Sequence, residues 1–567
     1  MDHRQLERRA VPEGPAGETI LRADRPGAPP KILAYRMGFA VAATALAERI
    51  GLVAYLNSHL DWDAKQCKVS PGIRLLALII AIMVEPRALY RLEEFYHDQD
   101  CAVLFGAERH AADFNDDAIG RALLKLFESQ SGQIYSGICR QAVDRLALPA
   151  SDTAHVDTTS VTLEGAYAHP DAGARPVRGY NKDGHPESVQ LVTGLVTRND
   201  GVPWGVDVMD GNTSDATWTA MVLQQAGLTL PDELRAQVLF VADSKMVSEA
   251  TVADCCAADI SFVSRLPNTF GLERQTKEAV REAGQWDADR PVQGDTGTVY
   301  RVCETRGVIG DAAVRFVVVH SSALAAKAEH WEKTQTAREA ASLDRQIASW
   351  DPQRFACADD AEHAWQTWQA TKAVAQGLWA VEGAILEEDT PEGPQWRVQA
   401  TRAETPRADR IAAERFRRST FILVSNDPRR SARDLLTAYK RQYVNEQDHA
   451  MVKGPLQVVP LYLKDTKKIT AYVYCVYLAL LLWRSMQAVM RQNQARLGFT
   501  LPYPNGALQP APTTKRLKEI LHPIQVIQWH EPTGEIHRYR SDLSLVQRQA
   551  LLLLGMNSGR FTQIPSG

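Results

Sequence analysis

Between Ala154 and Leu266 strand-like and helix-like patterns follow one another in an order that few folds accommodate. HVDTTSVTL (155–163) alternates and is rich in Val and Thr, residues that fit a pleated, half-buried surface. ESVQLVTGLVTR (187–198) reads as a second strand. Asn199-Asp200-Gly201 then supplies a tight hairpin turn before a third, VPWGVDVMD. SDATWTAMVLQQAG reads as a helix opened by Ser214 or Asp215. In RAQVLFVADSKM (235–246) the apolar run Val238–Val241 is a short buried strand that ends on Asp243. A helix from Ser244 and a last strand, ISFVSRL, complete the series.

Helices before and after the fourth strand imply crossover connections, and so parallel pairing there. Three antiparallel strands followed by helix, strand, helix and strand match the ribonuclease H-like order. The expected fold class is therefore α/β, a mixed sheet preceded by a helical N-terminal domain and interrupted by a large insertion. Residues 1–39, rich in Gly and Pro, are expected to be loose, and 40–150 to be helical, with Asn115 or Asp116 as caps in NDDAIGRALLKLFE. The first part of the α/β domain covers 151–266. Residues 267–418 break the pattern and read as an insertion outside that sheet, β-rich in GTVYRVCETRG and AAVRFVVVHSS, then helical, with EEDTPEGPQW as a loop. The second part, 419–500, holds the strand TFILVSND, one helix through ARDLLTAYKRQYVNEQDHAMVK, and an apolar helix. Residues 501–567 read as a C-terminal tail.

The apolar runs Leu75–Val84 and Ile469–Trp483 are shorter than the roughly 20 residues of a membrane span, so both are expected to be core helices. The N-terminus carries no apolar signal region, and the eight cysteines form no CxxC pair or Cys/His cluster. A cytoplasmic chain with reduced thiols and no membrane partner follows. No GxxxxGK[ST] loop is present, so no ATP is expected.

Two carboxylates stand out. Asp157 lies inside the first strand and Asp243 ends the fourth, which the proposed order makes its neighbour. Asp243 alone could be a helix N-cap. Two aspartates side by side, however, repel unless a cation lies between them, and hard divalent ions take carboxylate, water and phosphate oxygens. A third group comes from the helix after Asn426. Taking Glu446 as origin, Tyr439 and Lys453 lie seven residues either way, Gln442 four before and His449 three after. That stripe is polar throughout, whereas a core-facing stripe would be apolar.

Asp157, Asp243 and Glu446 resemble the DDE triad of bacterial insertion-sequence transposases. The helix resembles the Y-x2-R-x3-E-x6-K signature of their IS-four-like branch, with Tyr439, Glu446 and Lys453 at the family spacing. RGYNKDGHPES and DGNTSD also resemble family stretches. The resemblance implies a metal-dependent enzyme that cleaves DNA at element ends and joins the freed 3′-hydroxyl to target DNA. It implies two Mg2+ or Mn2+ ions held by Asp157, Asp243 and Glu446, and phosphates positioned by Tyr439 and Lys453, with Lys182 as a further DNA contact. The partners it implies are the terminal repeats, read by the helical domain, and target DNA, bound by a homodimer. Gln442 stands where the family has Arg, and the adjacent Arg441 points elsewhere on the helix.

The net charge is −4, but residues 428–522 carry 15 Lys and Arg against five Asp and Glu, leaving −14 for the rest. A basic segment on an acidic background suits a polyanion-binding face. Two alternatives remain: a DNA-binding relative with weakened or lost catalysis, which Gln442 favours, and a metal-dependent nuclease without strand transfer.

Overall fold

The computed structural model describes residues 31–163, 167, 172–229, 237–286, 292–294, 297–391, 393–456 and 463–565. The expected loose segment lies largely outside them; its described end, Lys31–Arg36 (β1), is a strand. The chain divides into two compact units. The first comprises 1–225, 237–242 and 441–567, and the second 226–236 and 243–440.

In the first unit, residues 38–145 form a series of helices joined by turns and loops. Asn115 caps Asp116–Glu128 by accepting from the Ala118 N–H at 2.9 Å. The α/β part holds β2 (Thr153–Leu163), β3 (Val189–Arg198), β4 (Pro203–Asp210) and β5 (Leu239–Ala242), in the order β4-β3-β2-β5. β2 runs antiparallel to β3 and parallel to β5, as the crossover argument requires. Gly201 adopts φ +83° in the hairpin turn, a conformation that costs a side-chain-bearing residue energy. Gly194 is needed for a different reason: a Cβ there would lie 2.1 Å from the buried Trp218 ring. The apolar run 469–483 lies within a 32-residue helix, Thr466–Leu497, whose most apolar stretch is wholly buried. It packs against the helical region and β4 as the core helix expected of it.

The second unit departs from the sequence reading. β6 (Phe262–Arg265), β7 (Val292–Gln293), β8 (Val299–Ile309), β9 (Ala312–Ser321) and β12 (Thr420–Ser425) form one antiparallel array, ordered β6-β12-β9-β8-β7. The strands read as a separate insertion therefore extend the array that contains β6: Val424 pairs with Ser264 on one side and Phe316 on the other. The segment EEDTPEGPQW, expected as a loop, joins two paired strands, β10 (Val381–Thr390) and β11 (Gly393–Arg402). Polar, largely exposed residues, Glu-rich in β10, hide the pattern, because much of each strand faces water. Beside them the 27-residue helix Ser322–Ala348 and helix Ala358–Gln369 enclose a small core of Trp350, Trp365, Trp379 and Val398.

The C-terminal residues of the first unit are not a loose tail. β13 (Gln525–His530) pairs with β1 and with β14 (Ile536–Arg540). Leu517, Leu521, Leu551 and Phe561 join the main core, and the Lys518 ammonium donates to the Met83 and Val84 carbonyls at the end of helix Pro71–Val84. Such long-range apolar pairing leaves no local periodic signature.

Candidate active site

Asp157 sits in β2 and is half-buried. β2 and β5 pair Val156 with Ala242, and the next residue of each chain segment is an aspartate, Asp157 and Asp243. In a strand, alternate residues share a face, so His155 points the same way as Asp157. His155 is fully buried, its imidazole held neutral by burial, which pushes its pKa down to about 4 with the Arg441 charge adding to the effect.

Asp157 Oδ1 accepts from the Thr158 N–H at 2.8 Å. The Lys182 ammonium stands 4.0 Å from the same oxygen and 3.3 Å from Asp215 Oδ2. It also donates to the Thr158 carbonyl and hydroxyl at 2.7 and 2.9 Å, while the Thr158 hydroxyl donates to Asp215. Lys182 is thus engaged with Asp157 in β2 and Asp215 at the start of the helix Asp215–Thr229, rather than extended toward solvent. Asn181 and the Lys182 N–H bond Thr162 and Ser160, which fastens the GYNKDG loop along β2. The next residue, Asp183, accepts from the Lys453 ammonium at 2.5 Å.

Glu446 lies on the exposed side of the helix Tyr443–Lys453. The face that this helix buries is Asn445, Asp448, His449 and Val452, mostly polar. Asn445 accepts from the Thr197 hydroxyl on β3, Asp448 from the Arg484 guanidinium in the long core helix, and His449 Nε2 approaches Asp157 Oδ2 at 3.4 Å. Burial pushes the Asp448 carboxyl up to about 6, with the Arg484 charge opposing. The polar stripe through Glu446 was expected to be the functional face on the ground that a buried face would be apolar. The buried face lies beside that stripe, shares His449 with it, and is polar: Asn445 and Asp448 each find one partner on another element, while the His449 ring has no hydrogen bond.

The single helix expected from 432 to 453 is two. Ala432–Lys440 ends before a turn at Arg441 and Gln442, where the Val444 and Asn445 N–H groups bond the carbonyls three residues back. Tyr439 lies at the end of the first helix, in the second unit, its ring 6.3 Å from that of Phe421. Gln442 takes the N-cap position of the second helix, with right-handed helical φ and ψ and no side-chain cap. Arg441 donates to Asn199 Oδ1 at 2.6 Å. In the second unit Asp243 is exposed, and it does cap: Oδ1 accepts from the Ser244 N–H at 2.6 Å and opens the short turn Ser244–Met246. Its second oxygen is not used by that bond.

Among the described residues, no three His, Cys, Asp or Glu side chains converge closely enough to hold a metal ion. The donor chemistry nevertheless fits a hard divalent cation: carboxylate oxygens are the ligands such ions take, and the ammonium beside Asp157 and Asp215 marks a place that draws positive charge. The sequence reasoning missed Asp215, Asp183 and the Asp448–Arg484 pair. Asp215 and Asp183 stood in stretches already noted, DGNTSD and RGYNKDGHPES; the Asp448–Arg484 pair has no sequence signal. The basic surplus of 428–522 is partly consumed inside the fold, since Arg484 is buried on Asp448 and Arg430 pairs with the buried Asp427.

No curated protein matches the chain. A cryo-EM structure of a piggyBac transposase synaptic complex with hairpin DNA is similar at a TM-score of 0.37 and 8% identity, covering 85% of this chain and 79% of that one. A likeness of that size carries no argument. Residues 38–140, within the helical region, match the family described as a domain of unknown function (DUF4277). Residues 150–482 match the family described as transposase DDE domain. That match covers more than half of the chain and spans the α/β elements, which are ribonuclease H-like; the chain belongs to the DDE-domain transposases and is an enzyme of the DDE type.

Proposed function

We propose that this enzyme cleaves DNA at the ends of an insertion sequence and transfers the freed 3′-hydroxyl into target DNA. The observation that carries the reading is the register of β2 and β5, in which the residue after each paired Val156 and Ala242 is an aspartate. DDE transposases act on DNA and generally use divalent metal ions. In the proposed mechanism Asp157, Asp243 and Glu446 would hold those ions, Mg2+ or Mn2+ and two in number. When bound, such ions activate the attacking oxygen and offset charge on the leaving one. Lys453 and Tyr439 position phosphates near the cleaved end, and Gln442 offers a neutral hydrogen bond where Arg would give a charged, bidentate one. Lys182 bonds Thr158 and offsets the charge of Asp157 and Asp215. The helical region reads the terminal repeats, and the DNA complex is a homodimer. The protein works in the cytoplasm, on the nucleoid when bound.

The direct test is incubation of the full chain with a plasmid carrying the element ends, Mg2+ and a second plasmid as target. Joined products with 3′ ends linked to target DNA are expected. Cleavage without joining would instead identify a nuclease, and binding without cleavage an inactive relative.

The Lys453–Asp183 pair gives a further expectation. Each side chain is about one-third exposed, so the pair is screened and contributes little, roughly 0.2–1 kcal/mol. A DNA phosphate must displace the Asp183 carboxylate to reach Lys453. Asp183→Asn should therefore tighten binding of end DNA by about two- to fivefold at low salt, measured by fluorescence anisotropy. Unchanged or weaker binding would mean that Lys453 does not meet a phosphate.

A further inference from the structure

His449 is 7% exposed, and neither ring nitrogen has a hydrogen-bond partner. An imidazole buried in this way normally gives its N–H to a carbonyl or carboxylate, because an unsatisfied buried polar group costs free energy. Its Nε2 lies 3.4 Å from Asp157 Oδ2, long for a hydrogen bond. That separation has another meaning. Two ligand atoms each about 2.1 Å from one cation lie about 3.0 Å apart in octahedral geometry and about 3.4 Å in tetrahedral. The Asp157–His449 distance falls in that range. Asp157 Oδ1 accepts from the Thr158 N–H, while Oδ2 is the oxygen that faces the imidazole.

The helix geometry holds the imidazole there. Asn445 and Asp448 on the same buried face are fixed to β3 and to the long core helix, so His449, one residue after Asp448, is presented to β2 rather than to solvent. Glu446, by contrast, lies on the exposed side of this helix.

We propose that His449 is a direct ligand, through Nε2, of the divalent ion held by Asp157. The inference rests on the reading of Asp157 as a metal ligand. A mixed imidazole and carboxylate pair favours a first-row transition ion over Mg2+, whose preferred donors are oxygen. Mn2+ is the probe, because its spin reports the nuclei bound to it.

The experiment is pulsed electron paramagnetic resonance of the full chain loaded with Mn2+, together with Mn2+ titration by calorimetry. Wild type should show nitrogen coupling to the ion. Growth with 15N-labelled histidine should convert that coupling to the 15N pattern, which needs no variant. His449→Gln should abolish the coupling and weaken Mn2+ binding by about tenfold while leaving Mg2+ binding nearly unchanged. Bound Mn2+ without nitrogen coupling in wild type would overturn the inference and leave His449 as a neighbour of Asp157 only. Coupling that survives His449→Gln would also overturn it, in favour of another histidine. Asp157→Asn separates the two levels: loss of Mn2+ binding supports the ligand pair, whereas unchanged binding would remove Asp157 from the site and the underlying reading with it.

Discussion

Single replacement of Asp157, Asp243 or Glu446 by Ala should lower single-turnover cleavage of end DNA by about 10^3-fold, while binding to the same DNA changes little. Removing one preorganised electrostatic group from a phosphoryl- or acyl-transfer site costs up to about 10^3 in rate, roughly 4 kcal/mol of transition-state stabilisation. Each carboxylate is asked to supply that much by holding an ion against the reacting phosphate. None of the three is a core residue: Asp157 is half-buried, and Asp243 and Glu446 are exposed. Folding should therefore survive each change, and circular dichroism with an anisotropy titration provides the control. The three variants do not carry equal information. Asp243 also caps the turn Ser244–Met246, so Asp243→Asn, which keeps a capping oxygen, separates the roles. If Asp243→Asn or Glu446→Ala cleaves at near the wild-type rate, that residue is no ligand, and for Asp243 the cap is its whole function.

The second large effect is on stability. Asp448 is fully buried and its partner Arg484 nearly so, in the core of the first unit. Both charges have left water, and each depends on the other to offset that loss. Arg484→Met removes one partner and strands the other, and breaking a buried pair in this way costs about 3–5 kcal/mol. A clear fall in the thermal midpoint is expected. The double variant Arg484→Met, Asp448→Leu should recover much of it, since an apolar pair of similar volume carries no desolvation cost. Activity should follow a different course. Asp448 fixes the helix that bears Glu446 and His449, so the double variant should stay folded and cleave poorly. A double variant with full cleavage would show that the pair serves stability alone. No recovery of the midpoint would mean that repacking, not charge, sets the cost.

The strand and helix order from 153 to 265 was legible because each element there announces itself locally. β2 and β3 are rich in β-branched residues, Asn199-Asp200-Gly201 marks its own turn, and Ser214 accepts from the Thr217 N–H as the helix signal required. The parallel pairing of β2 with β5 followed from connectivity rules, which need no side-chain contact. The candidate carboxylates were legible for the same reason: each sits at a position defined by its own strand or helix.

The interior of the site was not. The sequence assigned Lys182 to DNA, and the fold turns it onto Thr158, Asp157 and Asp215. It assigned Tyr439 and Lys453 to one helix face, and a turn at Arg441 and Gln442 divides that helix in two. It placed β8 and β9 outside the sheet of β6, and β12 joins them. The buried contacts of the helix that carries Glu446 likewise depend on partners remote in the chain: Thr197 for Asn445, Asp157 for His449, Arg484 for Asp448. Hydrophobic periodicity reports which face of a helix is buried only when the buried face is apolar. Here the helix that carries Glu446 buries Asn445, Asp448 and His449, and only the folded chain brings together the groups that make such burial tolerable. The sequence by itself determined the secondary-structure order and where three carboxylates enter it. The tertiary structure alone decided which polar groups face each other, because hydrogen bonds and ion pairs are set by distance in space and leave no period in the chain.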